Sequence, residues 1–283
     1  MGAVVITGAS TGIGRACALH LAGKGHLVFA GVRKDSDGES LRSASPGRLS
    51  PVIVDVTDQE SIVAAAKVVG EEVGASGLQG LVNNAGIAVS GPLEFLPIED
   101  LRRQLEVNVI GQIAVTQAFL PLIRAGRGRI VNMGSVAGRS PSAPLIGPYA
   151  ASKMAMEALT DSLRLELARW EIPVAIVEPG AIATPIWDKS GPDFDHLVDA
   201  MPDDGRERYG KTIEIGRKIA AAQNKRGIPP EKVAKAVEHA LTASRPRTRY
   251  LVGADAQVRA RVENLIPDKM RDKIVARLLR ERD

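Results

Sequence analysis

Short apolar, β-branched runs alternate along the chain with longer stretches whose apolar residues return every three or four positions. The runs 3–7, 27–32, 52–55, 79–82, 128–133 and 173–178 read as strands, a last core strand is expected at Tyr250-Leu251-Val252, and helical patterns fill most of the intervals. Strands that are apolar on both faces and separated by amphipathic helices pair in parallel beneath a helical layer on each side. The pattern therefore predicts an α/β fold: one domain, a doubly wound parallel sheet of about seven strands with helices on both faces. The first crossover helix is expected from about Gly12 to Lys24, with Gly25 as its stop, and a fifth helix from about Pro148 to Trp170.

Two stretches depart from this alternation. Between Thr184 and Pro230 the chain is rich in Gly, Pro and charge yet carries Ile186, Trp187, Phe194, Leu197, Met201, Tyr209, Ile213 and Ile219. A connection this long in a compact domain is functional or disordered, and the scattered large apolar residues favour a partly helical lid (184–230) inserted into a domain spanning 1–253. After Gly253, the tail 254–283 places Val258, Val262, Leu265, Ile266, Met270, Ile274 and Leu278 at near-helical spacing among Arg and Lys. It is expected to be an amphipathic basic helix, packed on the domain or a subunit neighbour, or laid in a lipid interface as a peripheral membrane contact.

With 283 residues, 45% of them hydrophobic, the chain can bury one large core. Lys and Arg number 37 against 33 for Asp and Glu, a formal +4, and the tail can hold much of that excess. A small basic excess without an aromatic-plus-basic platform does not specify nucleic acid, and no such partner is expected. The lone cysteine, Cys17, lies in an apolar helical stretch, so no disulfide framework is expected and a reducing, cytoplasmic setting fits. No run reaches the ~20 consecutive apolar residues of a spanning helix. Ala3-Val4-Val5-Ile6 reads as a strand rather than a leader, and Ile6 breaks the myristoylation pattern that Met1-Gly2 begins. No metal site is expected.

Chemistry enters at the end of the first strand. Thr7-Gly8-Ala9-Ser10-Thr11-Gly12-Ile13-Gly14 places a glycine-rich turn at a helix N-terminus. Gly8 permits the tight turn, Gly12 lets backbone approach a pyrophosphate, and Gly14 lets the helix pack closely on the sheet, while free N–H groups face the anion. At the end of the second strand, where an acidic residue would accept from the ribose 2′-hydroxyl of NAD, the chain has Gly31 with Arg33 and Lys34 close behind. An uncharged position beside a guanidinium suits a 2′-phosphate, so NADP(H) is favoured over NAD(H).

Tyr149 and Lys153, four residues apart, share one helix face. A phenol is a poor proton acceptor at neutral pH, and a neighbouring ammonium is expected to bring it toward the working range. Together with the Thr7–Gly14 turn, Asp55, Asn83-Asn84-Ala85-Gly86, Asn108, Ser135, Tyr149-Ala150-Ala151-Ser152-Lys153, Pro179-Gly180 and Thr184, this pair resembles the short-chain dehydrogenase/reductase (SDR) family over residues 3 to about 252. The glycine spacing is unlike that of the family's extended relatives. The resemblance implies a Rossmann fold, a homodimer or homotetramer, and an NAD(P)(H)-dependent exchange of hydride between an alcohol and its carbonyl. It implies that Ser135 hydrogen-bonds the reacting oxygen, Tyr149 exchanges its proton, Lys153 tunes Tyr149 and holds the nicotinamide ribose, and Asn108 holds a water. It further implies that Asp55 and Val56 flank the adenine, Asn84, Ala85 and Gly86 line the cofactor with Gly8, Ser10, Thr11, Gly12, Ile13 and Gly14, and Ile182 and Thr184, after Pro179 and Gly180, fix the carboxamide.

Within the family, Ser162-Leu163-Arg164, Val177-Glu178-Pro179-Gly180, His239-Ala240-Leu241-Thr242 and Pro246-Arg247-Thr248-Arg249-Tyr250 resemble the retinol and 17β-hydroxysteroid dehydrogenase branch. The apolar lid then predicts a bulky lipophilic alcohol or carbonyl substrate, walled by Trp187 and Leu145, with Ala88 and Val89 nearby. The alternative is an NADP-sensing regulator or scaffold on the same fold. Such proteins commonly lose the Tyr or the Lys, and this chain keeps both.

Overall fold

The computed structural model describes residues 2–139, 143–262 and 266–280, apart from the side chains of 223–225, 262 and 278–280. Seven strands, β1 (Ala3–Ile6), β2 (Leu27–Val32), β3 (Leu49–Ile53), β4 (Gly80–Asn83), β5 (Arg129–Met133), β6 (Val174–Pro179) and β7 (Arg249–Val252), form one sheet in the order β3-β2-β1-β4-β5-β6-β7. Every pairing is parallel. This is the predicted doubly wound α/β fold, with one strand displaced. β3 begins at Leu49, three residues before the expected 52, and runs through Pro51. Proline argues against a strand only where its missing N–H breaks a ladder on both sides, and β3 lies at the sheet edge.

Successive residues of each strand feed opposite layers. Val4, Ile6, Val28 and Ala30 pack with Cys17, Ala18 and Leu21 of α1 (Gly12–Gly23), and with Val233, Val237 and Leu241 further along the chain. Val5 and Phe29 pack on the other face with Ile62 and Val69 of α3 (Gln59–Val73); α2 (Asp35–Ala44) leads into the edge strand β3. Burial pushes the Cys17 thiol up to about 12, as expected of an inert core residue.

The segment Ile98–Ala125 is long and apolar enough by mean hydropathy to cross a membrane, although charged residues interrupt it and it is not an unbroken apolar run. It consists of α4 (Ile98–Leu105), a π-helical turn (Glu106–Ile110) and α5 (Gly111–Ala125). Val115, Phe119 and Ile123 are at most 1% exposed beneath the sheet, so the apolar face is that of a core helix. The expected fifth helix is the sixth, α6 (Gly147–Leu167), and gives way to a 3₁₀ turn at Ala168–Trp170.

The expected lid is a pair of helices, α7 (Ile186–Ala200) and α8 (Asp203–Arg226). An isolated parallel bridge joins Ile182 to Ile228 at its base, through Ala183 N to Ile228 O (3.0 Å) and Ile228 N to Ala181 O (3.0 Å). The insertion is thus closed at both ends by the body it covers. Next, α9 (Glu231–Thr242) packs beside α1 and supplies the valines and leucine named above. The single tail helix anticipated from the sequence is two, α10 (Ala254–Val262) and α11 (Asp268–Arg280). Pro267 lies between them and cannot continue a helix from α10. Val258, Met270 and Ile274 are exposed, Leu265 lies outside the described residues, and so do the side chains of Val262 and Leu278.

Candidate active site

The sheet order reverses between β1 and β4, and the carboxyl ends of these two strands open a crevice where doubly wound sheets bind ligands. Gly8 (φ 64°) and Gly12 (φ 56°) both take the left-handed conformation that a side chain resists. Gly14 is needed for contact, because a Cβ there would lie 2.2 Å from Gly8 O. The first helical bond of α1 runs from Arg15 N to Thr11 O (3.3 Å), so the N–H groups of Gly12, Ile13 and Gly14 precede the ladder. This arrangement fits an anion: an open run of N–H groups at the positive end of a helix, with no side chain between them and the crevice at Gly12 or Gly14. Ser10 is half-buried and Thr11 exposed on the rim. Thr184 packs on this turn, 3.3 Å from where a Gly12 Cβ would stand.

Asn84 ties the glycine turn to the strand beside it. Its Nδ2 donates to Thr7 O (3.0 Å) and Gly8 O (3.1 Å), while Asn84 N and Ala85 N both donate to Thr7 Oγ1 (3.0 Å each). Asn84 therefore staples the glycine turn to the end of β4, and its side-chain nitrogen is engaged by that turn. Val56 is 6% exposed and its side chain belongs to the core layer under α3. Asp55 is the exposed-facing member of that pair. Burial would raise its carboxyl, but hydrogen bonds from Thr57 N (2.9 Å) and Thr57 Oγ1 (2.7 Å), with the Arg33 charge, hold it below the usual range. Arg33 is itself exposed. At Gly31 a Cβ would stand 2.7 Å from Val54 Cγ1 and 3.0 Å from Ile6 O, so packing keeps an acid out of this position.

The residues expected to carry catalysis converge where β5 ends and α6 begins. Ser135 caps a 3₁₀ turn (Val136–Gly138), accepting from Ala137 N (3.2 Å), and its hydroxyl hydrogen-bonds the Tyr149 phenol. Gly138 lets α6 come close: a Cβ there would lie 2.8 Å from the Lys153 backbone. Lys153 is 6% exposed, with Nζ donating to Met133 O (2.8 Å) and standing 5.7 Å from the Tyr149 ring centre. Burial brings its ammonium down to about 8, against a partial offset from Glu157. Tyr149 departs from the expected direction. Burial raises the phenol above its ordinary value, and the opposing influence is the Ser135 hydrogen bond rather than Lys153. Desolvation outweighs an ammonium whose nearest acceptor is a backbone carbonyl.

Asn108 sits in the π turn. Its Nδ2 donates to Ile87 O (3.0 Å) and Ser152 Oγ (3.1 Å), and its Oδ1 accepts from Ile87 N (2.9 Å). The side chain is fully engaged, so any water it serves must be held by backbone, and π turns free carbonyls for such use. Sequence reasoning missed its neighbours. Gln104 accepts from Val89 N (2.6 Å) and donates to Ile87 O (3.1 Å), and Gln112 donates to Ala85 O. Polar residues at 104, 108 and 112 in an apolar helix were the available signal, since that spacing gives one face. They hold loop 85–89 against α6, where Ser152 Oγ donates to Tyr149 O (2.7 Å). The Gly86 position faces Asn108 Oδ1 at 3.3 Å from a would-be Cβ.

Pro179 ends β6, Gly180 N donates to Val252 O (2.9 Å), and a Gly180 Cβ would collide with the Asp255 carboxylate at 2.2 Å. The Ile182 bridge uses Ala181 and Ala183, which leaves the Ile182 peptide groups outside that pair. Trp187 meets Tyr149 edge-on, with ring centres 5.5 Å apart. Leu145 holds φ 76°, a strained value for a branched side chain, and is buried with Met201 and Ile213. The lid's large residues are thus largely packed against each other: Phe194, Val198 and Tyr209 join Leu145 and Phe95, while Leu197 joins Val89 and Leu96.

The short chain dehydrogenase family model matches residues 2–194. The chain belongs to this family. It is 36% identical over 95% of its length to the NADPH-dependent 3-dehydrocapnine reductase of Ornithobacterium rhinotracheale, 94% of which is covered. It is 38% identical over 98% of its length to retinol dehydrogenase 5 of Mus musculus, with 88% of that chain covered. Its fold matches a short chain dehydrogenase/reductase from Burkholderia phymatum solved in complex with NAD, at TM-score 0.79, 26% identity and 93% coverage of each chain. As a short chain dehydrogenase it is an oxidoreductase acting on the CH–OH group with NAD(P), in the retinol dehydrogenase branch. The non-catalytic scaffold reading is not favoured.

Proposed function

We propose that this enzyme prefers NADP(H) and interconverts a bulky lipophilic alcohol and its carbonyl. The observation that carries the chemistry is the meeting of the Ser135 and Tyr149 hydroxyls, with Lys153 buried behind them. Bound nicotinamide supplies or accepts the hydride at the substrate carbon. Gly8 to Gly14 would hold its pyrophosphate, Asp55 and the Val56 backbone the adenine, Ala85 and Gly86 its inner edge, and Ile182 and Thr184 the carboxamide, with Lys153 on the ribose. In reduction, Ser135 and Tyr149 donate to the carbonyl oxygen as negative charge gathers there, and Tyr149 gives up its proton. Oxidation reverses these roles.

Arg33 supports the NADP(H) preference, being exposed beside Asp55 where a 2′-phosphate would arrive. One relative is named as NADPH-dependent. Arg33→Ala is expected to weaken NADPH by about 1–3 kcal/mol, the range for a charged hydrogen bond, and to leave NADH unchanged. Titration of both cofactors by fluorescence checks this, and equal losses would assign Arg33 to the solvated loop.

The lipophilic reading rests on Trp187 over Tyr149, on Leu145, and on relatives named retinol dehydrogenases. Since the lid residues pack on each other, entry requires α7 and α8 to part from Leu145 and Val89. Along a homologous ketone series, kcat/KM should rise by ~0.8 kcal/mol per buried methylene until the site is full. A flat or falling trend would return those side chains to the lid's own core. A homodimer or homotetramer in the cytoplasm completes the reading, with exposed Met270 and Ile274 on α11 suited to a peripheral membrane contact.

A further inference from the structure

The face of α6 that carries Tyr149 and Lys153 continues at the same four-residue interval to Glu157 and Asp161. Glu157 has no part in the chemistry described above, yet it is largely buried, with a side chain 13% exposed. One of its oxygens receives Arg249 of β7, while the other, Oε1, is buried without any hydrogen-bond partner. The surrounding charges come from every packed element. Lys153 and Asp161 flank it on α6, Arg139 follows the 136–138 turn, Glu178 lies on β6 at 0% exposure, and Arg249 reaches across from β7. Arg249 also binds Asp161 (2.6 Å) and Glu178 (3.3 Å), and Arg139 binds Glu178 (3.3 Å).

A carboxylate with an unsatisfied buried oxygen is costly, and a hydrophobic residue at 157 would avoid that cost. What the carboxylate offers is negative charge one turn from Lys153, in a site where burial works against the ammonium. We propose that Glu157 is a positioning residue that acts through Lys153: its buried charge, held in place by Arg249, keeps Lys153 an ammonium while the enzyme works. The proposal rests on the assignment of Lys153 to the site, but not on the identity of the substrate.

Burial and the Glu178 charge bring Glu157 up to about 7, against the pull of Arg249 and Arg139, and burial brings Lys153 down to about 8. The support is therefore conditional on pH. Below about 7 Glu157 is protonated and Lys153 keeps its charge without help. Above it, Glu157 ionises as Lys153 approaches its own titration, and the carboxylate postpones the loss.

Glu157→Gln tests this by two readings. In the protein labelled with 13C at lysine Cε, the Lys153 resonance, assigned by its disappearance in Lys153→Met, should titrate about one pH unit lower in Glu157→Gln. In turnover, kcat/KM should lie only about a fifth below wild type near pH 6.5 and about fivefold below it at pH 8, the drops in ammonium fraction that follow from a one-unit shift. Glu157→Asp, which keeps the charge but withdraws it by one methylene, should recover most of both. If Glu157→Gln fails to fold, Glu157→Asp alone carries the test, with a smaller downward shift of the Lys153 resonance expected. An unmoved Lys153 titration overturns the proposal, as does a loss of activity equal at pH 6.5 and pH 8, which is the mark of a structural role. Absence of turnover with every carbonyl tried would defeat the functional reading, while the lysine titration would still decide this one.

Discussion

Tyr149→Phe should lower kcat by about three orders of magnitude, at the strong end of what one positioned proton-transfer group contributes. The substitution removes one hydroxyl and leaves the ring that Trp187 meets edge-on, so the fold and the pyrophosphate turn are untouched. Cofactor affinity, measured directly by fluorescence titration, should stay within about twofold of wild type, because the remaining phenyl ring retains the contacts that a binding role would use. Lys153→Ala should differ in kind. It empties a buried site, removes the donor to Met133 O, and should damage both turnover and cofactor affinity. Retention of more than about a tenth of the wild-type rate in Tyr149→Phe would remove the tyrosine from its role.

The second large effect is expected from Arg249→Met, which should destabilise the fold by about 3 kcal/mol at pH 8. Arg249 is the partner shared by Glu157, Asp161 and Glu178, and its loss leaves Glu178, at 0% exposure, with Arg139 alone. Removing one member of a buried charge group costs more than the group contributes, since the remaining charges stay desolvated. The pH dependence has a definite sign. Glu157 is already raised to about 7 in the folded chain, above its ordinary 4.5, so the folded state holds a proton that the unfolded state has released between those values. Stability therefore falls as pH rises through that window. Without Arg249 the carboxyl rises further, and the fall extends to higher pH. Urea unfolding at pH 5.5 and pH 8 reads this directly: the variant's deficit should be larger at pH 8. An equal deficit at both would mean that lost packing of the arginine stem, rather than charge, is responsible.

Fold class, the parallel sheet and the local pattern of the candidate site were legible along the chain. These are local matters: apolar runs report strands buried on both faces, Gly8, Gly12 and Gly14 report backbone that no side chain permits, and a four-residue interval places Tyr149 and Lys153 on one helix face. What depends on neighbours distant in sequence came only with the folded arrangement. Pro51 is acceptable only because β3 lies at the edge, a fact of strand order. Asn84 staples the glycine turn to the end of β4 because Thr7 and Gly8, 77 and 76 positions away, supply its acceptors. The same applies to the lid, whose apolar residues were visible in the sequence while their pairing with Leu145, Phe95 and Val89 was not. It applies most to the electrostatics of α6. The spacing of Tyr149, Lys153, Glu157 and Asp161 could be read along the chain, but the direction in which Glu157 titrates is set by desolvation and by Glu178 and Arg249, which only the stacking of β6 and β7 against the helix brings into range.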